Sequence, residues 1–204
     1  LAYCAKYFTS SEEGLGRFAA VLLAFTGAMY GLVLADDVFL LFIFWEATSV
    51  FSYLLIGHYT ARRASRSAAL QALIVTTAGG LVMFVGLVML AATAETSRVT
   101  DLVAMAQDGR LDVGMPLVVT AITLILVGAL SKSAIFPFHF WLPSAMVAPT
   151  PVSAYLHAAA LGQAGIYMGA RPAPGLASTP LWQPIPIGLG AFAMLFGGWR
   201  ARKQ

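Results

Sequence analysis

The sequence has very little charge. Lys and Arg account for 12 of its 204 residues and Asp and Glu for 9, so charged residues make up 10% of the chain, against about 25% in soluble domains. A globule of this size in water needs more charge than this to cover its surface. Because 59% of the residues are hydrophobic, the composition argues against a soluble enzyme, a disordered chain and a basic nucleic-acid-binding protein.

Several kinds of site are missing as well. The single cysteine, Cys4, excludes an internal disulfide and a cysteine metal cluster. The string GLGRFA at 14–19 fits a dinucleotide-binding pattern only in its letters, because no strand precedes it. The sequence therefore predicts no metal and no cofactor. It begins with Leu and ends with Arg-Lys-Gln, and we expect it to be a fragment of a longer protein.

What the sequence does contain is a series of long apolar runs. Each is continuous rather than alternating and about as long as a membrane-spanning helix, which needs roughly 20 apolar residues. The pattern predicts an all-α integral membrane protein with about six transmembrane helices. The predicted spans are 14–35, 38–57, 67–94, 113–142, 151–171 and 181–199, and the stretch 95–112 is polar. Glycine pairs such as Gly79-Gly80 predict close helix packing.

The basic residues predict the topology. Six spans place eight of them on one side of the membrane: Lys6, Arg17, Arg62, Arg63, Arg66, Arg200, Arg202 and Lys203. Only Arg98, Arg110 and Arg171 fall on the other side. Because cytoplasmic loops carry the excess of Lys and Arg, both ends of the chain and the Arg62 loop are predicted to be cytoplasmic.

The fourth apolar segment has the features of a broken helix. Pro137 follows Ser131-Lys132-Ser133, and a proline removes a backbone donor and crowds the preceding turn. We therefore expect a break near 131–137. Irregular backbone at membrane depth survives only against protein or a water-filled cavity, so this break indicates a functional site.

Two full charges lie deep in the predicted spans. Burying Glu46 and Lys132 costs a few kcal/mol or more each near the bilayer centre, and a pair between them would offset part of that cost. His139 and His157 lie in the same group of spans. Together the four residues predict a proton relay. The alternatives are a static ion pair that locks two helices and histidines that only fill the core.

Several motifs around these residues resemble the antiporter-like proton-translocating subunits. The family includes the large A-type subunit of Mrp multisubunit sodium/proton antiporters and chain L (chain 5) of respiratory NADH–quinone oxidoreductase. Segments 14–37 and 180–203 are most similar to the Mrp A-type branch. The motifs are FWEATS at 44–49 with YLLIG at 53–57, similar to the family's fifth helix, and SKSA at 131–134, PFHFWLP at 137–143 and APTPVSAYLH at 148–157, similar to its seventh and eighth helices.

The resemblance implies roles for these residues. Glu46 would be the fifth-helix acid and Lys132 the seventh-helix lysine, paired across a half-channel, and His139 and His157 would carry protons onward. The chain would hold helices four to nine, which are one five-helix repeat and the first helix of its inverted partner. It implies a transporter component rather than an enzyme, in the bacterial inner membrane, with H⁺ and Na⁺ as its ions and the other antiporter subunits as partners.

Two positions depart from the family pattern. Gln163 stands where the Mrp A-type branch commonly has an eighth-helix lysine, and Ser144 stands where an aspartate usually follows Leu-Pro. The first departure puts the usual relay between half-channels in doubt and leaves Gln163 as a candidate relay position. The motifs leave two alternatives open, which are a proton-pumping chain of NADH–quinone oxidoreductase and a structural membrane subunit without transport.

Overall fold

The computed structural model describes residues 14–179 and 181–202, with the side chains of 157–160, 200 and 201 outside that description. Within these ranges the chain is helical and has no β-strand. The helices are α1 (Leu15–Leu34), α2 (Val38–Ile56), α3 (Arg63–Ala94), α4 (Val99–Gln107), α5 (Pro116–Lys132), α6 (Trp141–Ala145), α7 (Thr150–Val152), α8 (Leu161–Ala170), α9 (Ala173–Leu176) and α10 (Pro184–Ala201). A 3₁₀ turn at Phe138–Phe140 precedes α6, and a π-helical segment at Ser153–Ala160 joins α7 to α8.

Among the described residues, three helices are long and apolar enough to cross a membrane. They are α1, α2 and α3, with 20, 19 and 32 residues, while α5 and the 184–199 part of α10 are apolar but shorter. At 1.5 Å per residue α3 is about 48 Å long, against a hydrocarbon layer of about 30 Å. Helix α3 is therefore longer than the lipid core is thick.

The helix bounds add detail to the predicted spans. Helix α3 begins at Arg63, four residues before the predicted span, since arginine is a good helix former. In the segment 113–142, for which a broken helix was predicted, α5 occupies only Pro116–Lys132. The polar stretch 95–112 contains α4, whose residues Val99 and Leu102 are buried. That helix buries one apolar face only, so composition alone did not indicate it.

The predicted break near 131–137 is present. Helix α5 ends at Lys132, and Ala134 has a φ of 53° in the left-handed region. Such a conformation costs a non-glycine residue of order 1 kcal/mol. The chain resumes as a 3₁₀ turn only at Phe138. The backbone therefore leaves helical geometry directly after the buried lysine.

Two consecutive glycines let α3 pack closely against two neighbours. Helix α3 packs on α5 and on α2, and α1 packs on α2. A methyl group added at Gly79 would overlap the Ser131 side chain of α5. One added at Gly80 would overlap the Glu46 carboxylate of α2. The predicted packing role of this glycine pair is therefore confirmed.

An acidic turn ties three parts of the chain together at one end. Asp37 caps α2 by accepting hydrogen bonds from the backbone N–H groups of Phe39 and Leu40, at 2.9 and 3.0 Å. We call Asp36, Arg98, Thr100 and Arg171 the acidic clasp. The Asp36 carboxylate accepts from Thr100 Oγ1 at 2.7 Å, Arg98 Nε at 3.3 Å and Arg171 Nη2 at 3.0 Å. The clasp joins the α1–α2 turn to the start of α4 and the end of α8.

The basic residues separate between the two ends of the described chain. Arg98 and Arg171 belong to the acidic clasp, whereas Arg17 lies near the start of α1. That start is about 30 Å from the clasp, by the 20-residue length of the helix. Lys6 and Lys203, which also contributed to the predicted topology, lie outside the described residues.

The clasp lowers the pKa of Asp36. Burial raises it, but the hydrogen bonds from Thr100 and Arg98 and the charge of Arg171 outweigh burial and hold it below 3.8. Hydrogen bonds from the Ser97 hydroxyl and from the Leu40 N–H likewise lower the pKa of Asp37. Because the folded pKa values are depressed, both carboxylates stabilise the fold above about pH 4. That contribution is lost as the pH falls through their folded pKa values.

Replacing Asp36 with Asn should remove this contribution. In the full-length protein in detergent, we expect Asp36→Asn to lower the free energy of unfolding by about 1 kcal/mol at neutral pH. It should also flatten the loss of thermal stability between about pH 5 and pH 3, followed by intrinsic tryptophan fluorescence. Asp101→Asn is the matched control, because Asp101 lies 4.0 Å from Arg98 and is half exposed. Equal effects of the two variants would contradict a specific clasp.

Candidate functional site

The centre of the described chain holds one fully buried cation, Lys132. It is the last residue of α5, and none of its surface is exposed. Its ammonium group lies near the carboxyl end of α5, where the helix dipole favours positive charge. An isolated charge in such a place is costly unless hydrogen-bonded groups surround it. The environment of this nitrogen therefore defines the site.

Three neutral oxygens of one turn of α2 hold the ammonium. Lys132 Nζ donates to the Trp45 carbonyl oxygen at 2.6 Å, to Thr48 Oγ1 at 2.6 Å and to Ser49 Oγ at 3.2 Å. It also lies 4.3 Å from the centroid of the Trp45 ring, within the range of a cation–π interaction. We call Trp45, Thr48 and Ser49 the lysine cradle. All three cradle residues are buried.

The cradle is built by helix periodicity. Positions i, i+3 and i+4 share one face of a helix, and Trp45, Thr48 and Ser49 have this spacing. The Thr48 hydroxyl donates to the Trp45 carbonyl at 2.7 Å. Its hydrogen therefore points at that carbonyl, and its lone pairs face the ammonium. Hydrogen bonds from a charged donor are about twice as strong as neutral ones, so the cradle compensates the buried charge.

Glu46 lies next to the cradle but does not touch the lysine. Among the ion pairs of the described residues, no nitrogen–oxygen distance of 4.0 Å or less joins Lys132 to Glu46. The Glu46 carboxylate instead faces α3 at Gly80 and Thr77. The two charges still interact through space. The sequence predicted a direct ion pair between Lys132 and Glu46. In the structure Lys132 instead binds one face of α2, and Glu46 lies on the adjacent face.

Two buried polar atoms, one of Glu46 and one of Trp45, have no hydrogen-bond partner among the described residues. They are Glu46 Oε1 and Trp45 Nε1, an acceptor and a donor that both face Gly80. Unpaired polar groups are rare in protein interiors, and each calls for an explanation. Here they leave the carboxylate with hydrogen-bonding capacity that the packing of α2 and α3 does not use.

The two serines that flank Lys132 fix the end of α5. Ser131 Oγ donates to the Gly128 carbonyl at 2.8 Å, and Ser133 Oγ donates to the Gly162 carbonyl of α8 at 2.9 Å. The Ser131 carbonyl accepts from Trp141 Nε1 at 3.1 Å. The Ser-Lys-Ser motif therefore holds the lysine between α2 on one side and α6 and α8 on the other.

Of the two predicted histidines, His139 packs against aromatic rings and not against the charged centre. The His139 ring stacks on Phe136 with centroids 5.7 Å apart and meets Phe196 edge-on at 5.5 Å. Its buried Nδ1 has no hydrogen-bond partner within the described ranges. His157 belongs to the π-helical segment Ser153–Ala160, and its side chain lies outside the described residues. Gln163 lies on α8, next to the buried positions Ala164 and Gly165.

The cradle residues are also functional candidates, and they are missed when only ionisable side chains are considered. A signal for them is present, because Thr48 and Ser49 are hydroxyl residues in a mostly apolar span, on the same helix face as Trp45. Hydroxyl residues inside a helix ordinarily bond back to their own backbone. Their second role, as acceptors for Lys132, is therefore easily missed. No group of three His, Cys, Asp or Glu side chains in the described part of the chain could hold a metal ion.

Comparisons with families of known proteins and with individual relatives agree with each other. The family described as "NADH:quinone oxidoreductase/Mrp antiporter, TM" matches residues 35–204. The chain is 45% identical over 202 residues to the A-type subunit of a Na⁺/H⁺ antiporter of Bacillus subtilis (strain 168), covering 99% of this chain and 25% of that protein. It is 44% identical over 202 residues to the A/B-type subunit of a probable K⁺/H⁺ antiporter of Rhizobium meliloti (strain 1021), covering 98% of this chain and 20% of that protein.

Solved structures agree with the sequence matches. A chain of the Mrp complex from Dietzia sp. DQ12-45-1b is 38% identical with a TM-score of 0.75, over 83% of this chain and 18% of that one. A chain of an archaeal membrane-bound sulfane sulfur reductase is similar in fold, with a TM-score of 0.71 at 23% identity over 81% of this chain and 33% of that one. The present chain spans about a quarter of the length of the curated relatives it matches.

The cradle predicts an energetic coupling between Thr48 and Lys132. Thr48→Val removes an acceptor from a buried ammonium and should lower the free energy of unfolding by about 1–3 kcal/mol. In a Lys132→Met background the same substitution should have little effect, because the charge is gone. A double-mutant cycle on the full-length protein in detergent measures this coupling.

Thr76→Val is the matched control for this cycle. Thr76 is a buried threonine of α3 that also bonds to its own helix, through the Ala72 carbonyl at 2.9 Å. We expect no coupling between Thr76 and Lys132. A cycle in which Thr48→Val and Thr76→Val behave alike would show that the cradle does not stabilise the ammonium.

Proposed function

Because the chain belongs to the NADH:quinone oxidoreductase/Mrp antiporter membrane family, we propose that it is part of the proton-translocating membrane subunit of a multisubunit monovalent cation/proton antiporter, with Na⁺ as the exchanged cation. The observation that carries the proposal is the fully buried Lys132 ammonium in its cradle, beside Glu46. An ionisable residue at membrane depth is a functional group by default, since its burial is too costly to be retained without use.

In the proposed relay, the positive charge of Lys132 has two alternative positions. In the first position the protonated Lys132 donates to the three cradle oxygens. In the second, the ammonium moves toward the Glu46 carboxylate, whose Oε1 has no partner among the described residues. The proton that leaves Lys132 passes to the next residue of the relay and removes the charge that the cradle compensates, and a proton that arrives restores this charge. Movement between the positions changes the field at the next site along the membrane.

The remaining relay residues extend this path. His139 lies directly after the break that follows Lys132, and its Nδ1 is buried without a partner within the described ranges. His157 belongs to a π-helical segment, a distortion of the helix that is frequent at functional sites. Gln163 can pass a proton only through a hydrogen-bonded water. The chain would then be a partial proton-conducting domain, with one five-helix repeat and the first helix of its inverted partner.

Lys132→Met should abolish transport by the full-length protein within its complex. In inverted membrane vesicles, addition of Na⁺ should no longer dissipate a preformed proton gradient, measured with a pH-sensitive dye. Glu46→Gln should lower the rate without preventing membrane insertion, because the carboxamide keeps the shape but loses the charge. Arg63→Gln, an exposed substitution outside the site, should leave transport intact. Full activity of Lys132→Met would support the alternative, a subunit in which Lys132 only locks two helices.

The second candidate is a proton-pumping chain of NADH–quinone oxidoreductase, which the description of the matching family also includes. The same Glu46–Lys132 centre would serve there, and this chain would supply no redox group. The neighbouring genes distinguish the two. Genes for small antiporter subunits support the first proposal, and genes for flavin and iron–sulfur subunits support the second.

The proposed location is the bacterial inner membrane, with both ends of the chain and the arginine-rich loop in the cytoplasm. The excess of arginine near Thr60 supports this orientation. In a cysteine-free background, a membrane-impermeant maleimide added to whole cells should label Asp108→Cys but not Thr60→Cys, both of which are exposed positions. Labelling of Thr60→Cys alone would reverse the orientation.

A further inference from the structure

The end of the chain opposite the acidic clasp carries arginines without acidic partners among the described residues. At the clasp, Arg98 and Arg171 pair with Asp36. At the opposite end, no described carboxylate lies within 4.0 Å of any guanidinium. The arginines there are Arg17, Arg62, Arg63 and Arg66. This end therefore presents positive charge that the described chain does not neutralise.

A cavity lies between two of these arginines. It measures about 170 Å³, whereas a single water needs only roughly 10–15 Å³ by the same measure. The start of α1, the end of α2 and the start of α3 enclose it. Arg17, His58 and Arg66 form its polar wall, and Phe18, Val21 and Tyr53 belong to its apolar wall.

The polar wall is held in place by local contacts. Arg66 Nη1 donates to the Thr60 carbonyl at 2.5 Å, and both residues line the cavity. The His58 ring packs edge-on against Phe18 with centroids 5.2 Å apart. Arg62, by contrast, is engaged over the Tyr59 ring at 4.8 Å and does not line the cavity. The cavity thus uses two of the four arginines at this end.

We propose that this cavity binds the phosphate-bearing headgroup of an anionic phospholipid. Guanidinium groups suit phosphate because their planar donors match its oxygens. Basic pockets between transmembrane helices on the cytoplasmic side bind anionic headgroups. The inference does not depend on the proposed transport function.

The apolar wall selects a lipid over a free anion. Phosphate alone would contact Arg17 and Arg66 and would leave the apolar wall of the cavity uncovered. A lipid places its glycerol and the first carbons of its acyl chains against these side chains. Leu54, which also lines the cavity, is 46% exposed on the outer surface of α2. It marks the route by which acyl chains reach the bilayer.

Native mass spectrometry of the full-length protein in its complex tests the proposal, with phosphatidylglycerol and phosphatidylcholine added in equal amounts. The parent protein should retain phosphatidylglycerol preferentially. Arg17→Gln with Arg66→Gln should reduce that preference by about 30-fold, or roughly fivefold per arginine. Arg62→Gln with Arg63→Gln is the matched control, because it removes the same charge from the same end without touching the cavity wall. It should keep the preference within about twofold, since neither residue touches the headgroup.

Three results would overturn the proposal. Equal losses in the two double variants would mean that diffuse charge, not the cavity, attracts the lipid. An unchanged preference in Arg17→Gln with Arg66→Gln would mean that the headgroup binds elsewhere. Complete displacement of phosphatidylglycerol by inorganic phosphate would identify a free-anion site. Intact complexes in the same spectra show that the variants fold.

Discussion

The burial of one ammonium group against one turn of α2 is the constraint on which the rest of the site depends. Lys132 has no exposed surface, so every hydrogen of its ammonium group needs an oxygen inside the protein. The Trp45 carbonyl can serve only because Thr48 and Ser49 add two further oxygens on the same face. Helix α5 therefore has to end where its last residue reaches that face, and the chain breaks directly afterwards.

In this arrangement Lys132 and Glu46 lie near each other but do not form a direct ion pair. Consecutive residues of a helix point about 100° apart, so the cradle of Trp45 and the carboxylate of Glu46 face different neighbours. Gly80 lets the carboxylate enter the contact with α3, and Gly79 lets the same helix approach Ser131. A tight ion pair would hold both charges in a single state. A cradle beside an acid places two kinds of partner near the lysine, and the proposed relay uses both.

The sequence predicted the parts of the fold that follow from long apolar runs and from the charged residues and prolines that interrupt them. Asp36 and Asp37 separate α1 from α2 as expected, because a buried span cannot absorb two carboxylates and Asp37 is a good cap. Pro137 indicated the break. Helix α4 was missed because it is short and buries one face only. The cradle was missed because hydrogen bonds between helices depend on how α5 crosses α2, and no local pattern in either helix encodes that crossing.

The two ends of the chain use arginine in opposite ways, and the difference follows from the carboxylates available to it. At the clasp, Asp36 pairs with both Arg98 and Arg171, and Asp101 also pairs with Arg98, so two carboxylates offset the two arginines. These arginines join α4 and α8 to the α1–α2 turn and contribute little outward field. At the other end the described chain offers no such acid, and the field of four arginines extends outward over roughly a Debye length. A membrane leaflet with anionic lipid attracts the second end and has little effect on the first. The same imbalance from which the orientation of the helices was predicted thus also underlies the proposed lipid site.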